Sequence, residues 1–368
     1  MSSKPRKLFY LFPWHLLALL LLILAAGLLN LYSASAAATG EASHFFRSQL
    51  IWAGVGLGLL LLMLTFHYRL LMDAAVPIYL VSLALLVLVI LFGKASGGQK
   101  NWLALGPLRV QPSEFAKLAV ILVLAKYFQS LPPGGRCTLR DFLPALGLIL
   151  LPMGLILVEK DLGSALFFAL IGGTFLFIAG LPARYLVVAL VLVSVAGAAG
   201  YRYFLSDYQR ARIQTFLHPE KDPRGKGYHL LQSKIAVGSG QVLGKGFLKG
   251  DLNKFKFLPE RHTDFVFPVL AEEWGFLGGT AVLGAFFFLL LLMLQAAGKL
   301  QDRFGGFLVA GVAALLFWQV AINLGGVLGL MPLAGVTLPF FSYGGSALLS
   351  TMLGMGAAFN VLMRRYMF

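Results

Sequence analysis

The sequence predicts an all-α, polytopic integral membrane protein with about ten transmembrane helices and one large extracytoplasmic loop. Three observations predict it. Apolar residues fill 59% of the 368 positions and charged residues only 12%, about half the charged share of a soluble protein. A soluble fold of this size could not bury so much hydrocarbon and still cover its surface. Apolar runs long enough to cross roughly 30 Å of hydrocarbon recur along the chain, and the basic residues between them fall mostly in alternate connections, on one side of the membrane. A disordered chain, a disulfide-stapled secreted domain and a soluble cytoplasmic enzyme are excluded together.

The elements follow in order. The first run, 11–31, comes after Lys4, Arg6 and Lys7. It is read as a retained helix rather than a cleaved signal peptide, because the remaining spans still need orienting. Runs at 48–65 and 74–92 carry no charged residue, whereas 112–130 carries Glu114, Lys117 and Lys126. The runs 142–158 and 162–180 are split only by Glu159, Lys160 and Asp161. A seventh run at 184–204 leads into the hydrophilic segment 205–265, and runs at 266–295, 305–327 and 341–363 complete the ten. With the N-terminus inside, twelve Lys/Arg of the termini and short loops face the cytoplasm and five face out, which places both termini in the cytoplasm. The chain then forms one transmembrane domain, 1–368, with the loop 205–265 outside.

That loop holds eleven basic residues against six acidic ones. A basic loop on the outer face needs a reason, and an anionic ligand is one. Within it, Tyr228, Leu231 and Ile235 recur at helical spacing, as in a short amphipathic helix lying on the membrane or on the bundle. The formal net charge of +15 is read as basic flanks beside lipid headgroups, with no nucleic-acid partner. The single cysteine, Cys137, cannot form an intrachain disulfide, and no Cys/His cluster has metal-ligand spacing. No P-loop, dinucleotide fingerprint, HExxH or nucleophile elbow is present. A secondary transporter stays open, since ten helices with intramembrane charges suit it.

Polar residues are densest at 257–274. Glu260, Arg261, His262, Thr263 and Asp264 stand where the loop meets the apolar run beginning at Phe265. One reading makes Thr263 or Asp264 a helix cap in a polar rim; the other makes Asp264 an ionised general base at the membrane surface. Glu272 lies eight residues beyond Asp264 on what would be the same helical face. At that depth a carboxylate needs a partner or water, and pairing of Glu272 or Glu273 with a base would hold the bundle together. Glu114 and Lys117, three apart on one helix, can pair, and Asp161 could join Lys117 in a three-charge group shaping a cavity floor. Asn323, Gly325-Gly326 and the segment 338–346 (LPFFSYGGS) suggest closely packed or broken helix.

Read together, these motifs resemble the SEDS family of membrane proteins (shape, elongation, division and sporulation). They are NWLALG at 101–106, QPSEFAK at 111–117, KDLG at 160–163, a long stretch at 208–240, GKGF at 244–247, LPERHTDFVF at 258–267 and LPFFSYGGS at 338–346. The EEWG at 272–275 and the short N-terminus lean toward the elongation branch rather than the division branch. The resemblance implies a polymerase of peptidoglycan glycan strands acting on lipid II, a polyprenyl-diphosphate-linked glycan, in the bacterial cytoplasmic (inner) membrane. It implies that Asp264 is the catalytic aspartate and that Glu114, Lys117 and Asp161 support the site. The partners it implies are a class B penicillin-binding protein, which crosslinks the strands, and other elongation-complex proteins. Two departures stand out: Asn101, with Lys100 beside it, where the family more often has Arg, and Gly250-Asp251-Leu252 where it usually has Gly-Thr-Gln. The product linkage inverts an α-linked donor, which calls for one base and stabilisation of the departing diphosphate. Arg210 and Arg212 are the expected diphosphate ligands, because guanidinium geometry suits phosphate oxygens. Lys100, Glu260, His262, Ser342 and Tyr343 complete the candidate substrate contacts. A divalent cation, Mg2+ or Mn2+, would suit the diphosphate, but no metal site is identified in the sequence. A lipid II flippase and a non-catalytic scaffold of the elongation complex are the alternative functions.

Overall fold

The computed structural model describes residues 10–36, 43–96, 99–106, 108–132, 138–185, 187–188, 191, 210, 214–219, 226–251 and 261–365. Most of the expected span 184–204, parts of the loop 205–265, and Arg212 and Glu260 lie outside the described residues.

The helices run α1 Trp14–Ala36, α2 His44–Thr65, α3 Arg69–Phe92, α4 Pro112–Ser130, α5 Leu143–Val158 and α6 Leu162–Ile178. After these come α7 Lys226–Ser239, α8 Val266–Gly298, α9 Arg303–Val327 and α10 Gly345–Met363. Among the described residues, seven stretches are long and apolar enough to cross a bilayer: α1, α2, α3, Leu139–Val158, α8, α9 and α10. The expectation of about ten is met in part. The 112–130 run is a helix, but one that carries three charged residues, and α6 is an apolar helix of 17 residues. The chain is thus an all-α, multi-pass membrane protein.

Burial sorts the helices. α9 and α10 are buried along most of their length, and α4 is buried on nearly every face. They form the centre, with α2 against α10, α3 against α4, α6 against α9 and α1 against α8. The outer helices turn large apolar side chains such as Leu61, Leu88, Leu150 and Phe287 outward, as lipid-facing surfaces do. The amphipathic α7 packs on the bundle, against α8 and α9, with the Ser233 hydroxyl on the Val327 carbonyl at 2.7 Å.

Polar side chains close the helix ends, where carbonyls have no partner within the helix. Arg303 donates to the carbonyls of Phe128, Gln129 and Leu131 at the end of α4. Asn360 donates to Met63 and Phe66 at the end of α2, and Arg364 to Leu64 beside them. These contacts mark one end of the bundle. The opposite end carries Asp161, Asp264 and Ser342.

A small antiparallel sheet at that opposite end was not expected. Strands β1 Lys94–Ser96, β2 Gln99–Leu105 and β3 Leu108–Val110 join α3 to α4, with Leu103 opposite Val110 and Ala104 opposite Arg109. A connection emerging beside hydrocarbon must satisfy its own peptide groups, and pairing with itself does so. β2 lies on α3 and α4, which brings Lys100 and Asn101 over the helix ends.

Candidate functional site

Asp264 stands in a turn two residues ahead of α8. Three successive carbonyls of this turn are met by distant parts of the chain. The Tyr343 N–H donates to the His262 carbonyl at 2.8 Å, the Ser342 hydroxyl to the Thr263 carbonyl at 2.6 Å, and the Asn323 carboxamide to the Asp264 carbonyl at 3.0 Å. Each donor is fixed in turn. Asn323 also donates to Val336 at 2.6 Å, and the Ser342 hydroxyl accepts from the Leu338 N–H at 2.8 Å. Gln49 grips the same segment twice, donating to the Ser342 carbonyl at 3.0 Å and accepting from the Gly344 N–H at 3.2 Å. Gln49, Asn323 and Ser342 are all buried.

The helix itself is entered without a side-chain cap, through Phe265. This corrects the expectation that Thr263 or Asp264 caps it. Pro268, the third helical residue, has no N–H for a cap to bind. Asp264 also lies off the helix, so the eight-residue spacing to Glu272 does not set the two on one helical face.

Glu272 has its own role. α8 breaks at Gly275, whose φ of 64° and ψ of −162° are open to glycine. The groups freed by the break are taken up by the segment after α7. Lys245 and Gly246 donate their N–H groups to the carbonyls of Glu272 and Glu273, while Phe276 and Leu277 donate theirs to Gln241 and Val242. The approach is so close that a Cβ on Gly244 would run into the Glu273 carbonyl. The Lys245 ammonium then lies 2.7 Å from Glu272 Oε1 and 2.7 Å from Asp251 Oδ2. Burial lowers the Lys245 pKa, but hydrogen bonds and charge from Asp251 and Glu272 outweigh it and raise it overall. Glu273 accepts from the Ser33 hydroxyl of α1 at 2.5 Å. The expected pairing of a deep carboxylate with a base is therefore present, in Glu272.

The intramembrane charges divide into two groups. Glu114 and Lys117 pair at 2.7 Å, with the ammonium 4.6 Å from the Phe167 ring and Glu114 Oε2 3.5 Å from the Ser350 hydroxyl. Asp161 makes no ion pair with Lys117. It caps α6, accepting from the Ser164 N–H at 3.0 Å and hydroxyl at 2.8 Å, and from Asn101 at 3.0 Å. A carboxylate at a helix N-terminus is satisfied by local donors and the dipole, so it needs no lysine. Beside it Glu159 is buried, with no hydrogen-bond partner for Oε1. Burial, and then the charge of Asp161, push its pKa up to about 8.

Of the remaining candidates, Lys100, His262, Ser342 and Tyr343 fall at the same end. Lys100 is exposed on β2. His262 stacks on Phe45 at 3.9 Å between centroids, with Tyr343 edge-on to Phe45 at 5.2 Å. Arg210 is half-buried. Ser342, expected as a substrate contact, is buried with its hydroxyl bonded on both sides, so its place is inside the scaffold. Sequence reasoning missed Gln49, Lys245 and Glu159, and read Asn323 as packing. A glutamine or asparagine within an apolar run was the available signal, since such a side chain seeks backbone to bond. Among the described residues no group of three His, Cys, Asp or Glu side chains gathers as a metal site would.

Comparison with known proteins agrees along the whole chain. The family described as "Cell cycle protein", grouping FtsW, RodA and SpoVE, matches residues 13–367. The chain is 39% identical over 371 residues to the peptidoglycan glycosyltransferase MrdB of Escherichia coli K12, covering 100% of this chain and 99% of that one. It is 32% identical to the peptidoglycan glycosyltransferase RodA of Treponema pallidum, covering 96% and 98%. Among solved structures it resembles a chain described under structural coordination of polymerization and crosslinking by a peptidoglycan synthase complex. That match has a TM-score of 0.82 and 35% identity over 97% of this chain and 99% of that one. The rod shape determining protein RodA of Thermus thermophilus matches with a TM-score of 0.73 and 34% identity, over 96% and 98%.

Proposed function

Because the chain belongs to the SEDS family of peptidoglycan glycosyltransferases, the group of FtsW and RodA, and is closely related to RodA, we propose that it polymerises lipid II into β-1,4-linked glycan strands for cell-wall elongation and rod shape, with Asp264 as general base. The chain is a membrane enzyme of peptidoglycan synthesis. The general polymerase reaction rests on full-length similarity to glycosyltransferases. The specific roles rest on one observation: a carboxylate-bearing turn, outside any helix, held by three long-range hydrogen bonds.

The chemistry follows from that placement. The acceptor's 4-hydroxyl attacks the donor's anomeric carbon as its proton passes to the Asp264 carboxylate. The bond to the lipid diphosphate breaks on the opposite face, which inverts the centre. Holding both reactants in line supplies much of the acceleration. Lys100 and Arg210, with Arg212, are assigned to the charge that develops on the departing diphosphate. A divalent cation would add to that charge stabilisation; Asp251 and Glu272 are already bonded to Lys245, so no step is assigned to it.

In the bacterial cytoplasmic membrane, both termini face the cytoplasm in this reading, and the end of the bundle carrying Asp264 faces out. A class B penicillin-binding protein is the proposed partner, supported by similarity to a chain of a complex that couples polymerization with crosslinking. The test is purified protein with lipid II in detergent, where there is no membrane to cross. Strand formation is expected. Silence there alongside robust flipping in liposomes would make it a transporter, and silence in both a scaffold.

A further inference from the structure

The two peptide units joined at the Asp264 Cα are each held at their carbonyl by a buried side chain. The unit before it ends in the Thr263 carbonyl, which accepts from the Ser342 hydroxyl at 2.6 Å. The unit after it carries the Asp264 carbonyl, which accepts from the Asn323 carboxamide at 3.0 Å. Peptide units are planar, so the orientations of two neighbouring planes set φ and ψ of the residue between them. With both fixed, the direction of the Cα–Cβ bond is fixed, and only side-chain rotation remains to aim the carboxylate.

We propose that Asn323 and Ser342 are positioning residues for Asp264, aiming its carboxylate by clamping the peptide units on either side of it. The proposal rests on the reading of Asp264 as the base. Neither side chain needs to touch substrate, and both are buried. The chemistry of each fits the task. Asn323 uses its carboxamide nitrogen on two carbonyls, of Asp264 and Val336, which spends both of its N–H bonds. An aspartate there would turn an acceptor toward at least one of them. Ser342 needs a group that accepts and donates at once, because it takes the Leu338 N–H and gives its proton to Thr263. A hydroxyl does both and an alanine neither. Gln49 anchors this device to α2 by its two bonds to residues 342 and 344. Phe265 gives the start of α8 no side-chain cap, and these lateral bonds act on the peptide units of the turn itself.

The experiment compares the full-length wild type with Asn323→Ala, Asn323→Asp, Ser342→Ala and Asp264→Asn, purified in detergent and supplied with lipid II over a range of concentrations. Rates are taken per folded molecule, and thermal unfolding is followed in the same preparations. A misaimed base lowers the chemical step and not binding, so kcat should fall about tenfold to a hundredfold with little change in KM. A purely structural role would lower folded yield and leave the folded fraction with normal kcat. If Asn323→Ala and Asn323→Asp do not fold, Ser342→Ala decides, since it removes only a hydroxyl. Wild-type kcat in the folded variants while Asp264→Asn is inactive overturns the proposal and spares the base reading. An active Asp264→Asn overturns the base reading, and the proposal with it.

Discussion

Lys245 and Glu272 are bound twice, through their side chains at 2.7 Å and through the Lys245 N–H on the Glu272 carbonyl at 3.0 Å. One residue follows α7 and the other lies just before the break in α8. The double bond makes the segment after α7 and the broken helix a single piece. It also answers how a carboxylate whose side chain is 2% exposed is tolerated there.

Lys245→Met keeps the main-chain bond and removes the ammonium. Breaking a fully buried pair costs roughly 3–5 kcal/mol. Lys245 is 28% exposed, so water can partly replace it and the expected loss is nearer about 2 kcal/mol. Unfolding in detergent measures it. Lys245→Met combined with Glu272→Gln should recover much of the loss, because the buried charge is gone and the Asp251 carboxylate, 48% exposed, stays in water.

Lys117→Ala should be the more damaging change. Its ammonium is buried between Glu114 and the Phe167 ring, and the survivor Glu114 has the Ser350 hydroxyl only at 3.5 Å. A loss of about 3–5 kcal/mol is expected, seen as reduced folded yield together with reduced activity. Normal yield with lost activity would shift Lys117 from scaffold to chemistry.

Asp264→Asn should separate these two effects. The Thr263 and Asp264 carbonyls and their donors are main-chain matters on the Asp264 side, so the amide leaves them in place. Folded yield should match the wild type while strand synthesis falls at least about a hundredfold. Near-normal synthesis would end the base assignment.

Glu159 supplies a pH test. Its proton is held more tightly in the folded state, with the pKa raised to about 8 from the ordinary 4.5. Stability from this group is complete below the unfolded value and is lost as pH rises through the folded one. The wild type should therefore unfold progressively more easily from about pH 4.5 to about pH 8. Glu159→Gln, which cannot ionise, should flatten that decline. Parallel profiles for the two proteins would show that Glu159 does not carry it.

Much of this was legible in sequence and some was not. The helices could be read because hydrocarbon thickness dictates their length. The Glu114–Lys117 pair could be read because three-residue spacing puts both on one face. The small sheet escaped notice, as two of its strands are three residues long and show no alternation. The break at Gly275 was hidden inside an unbroken apolar run, since apolar composition does not report φ. Asp161 was assigned to Lys117 because charge suggested it, whereas the start of α6 offered it nearer donors. The donors to the Asp264 and Thr263 carbonyls come from 59 and 79 residues away, beyond any local pattern.

Those separations bear on how the protein is made. A ribosome delivers the Asp264 turn to the membrane well before Asn323, and Ser342 later still. While α9 and the segment ahead of α10 are unsynthesised, the Thr263 and Asp264 carbonyls lack the partners they have in the finished chain. The turn therefore matures late in biosynthesis, only once Ser342 has been made. A nascent chain released early would hold the aspartate without its final pose and, on the proposal that Asp264 is the base, without its activity. Supplying the missing C-terminal helices as a separate polypeptide should restore the pose, just as their synthesis does in the intact chain.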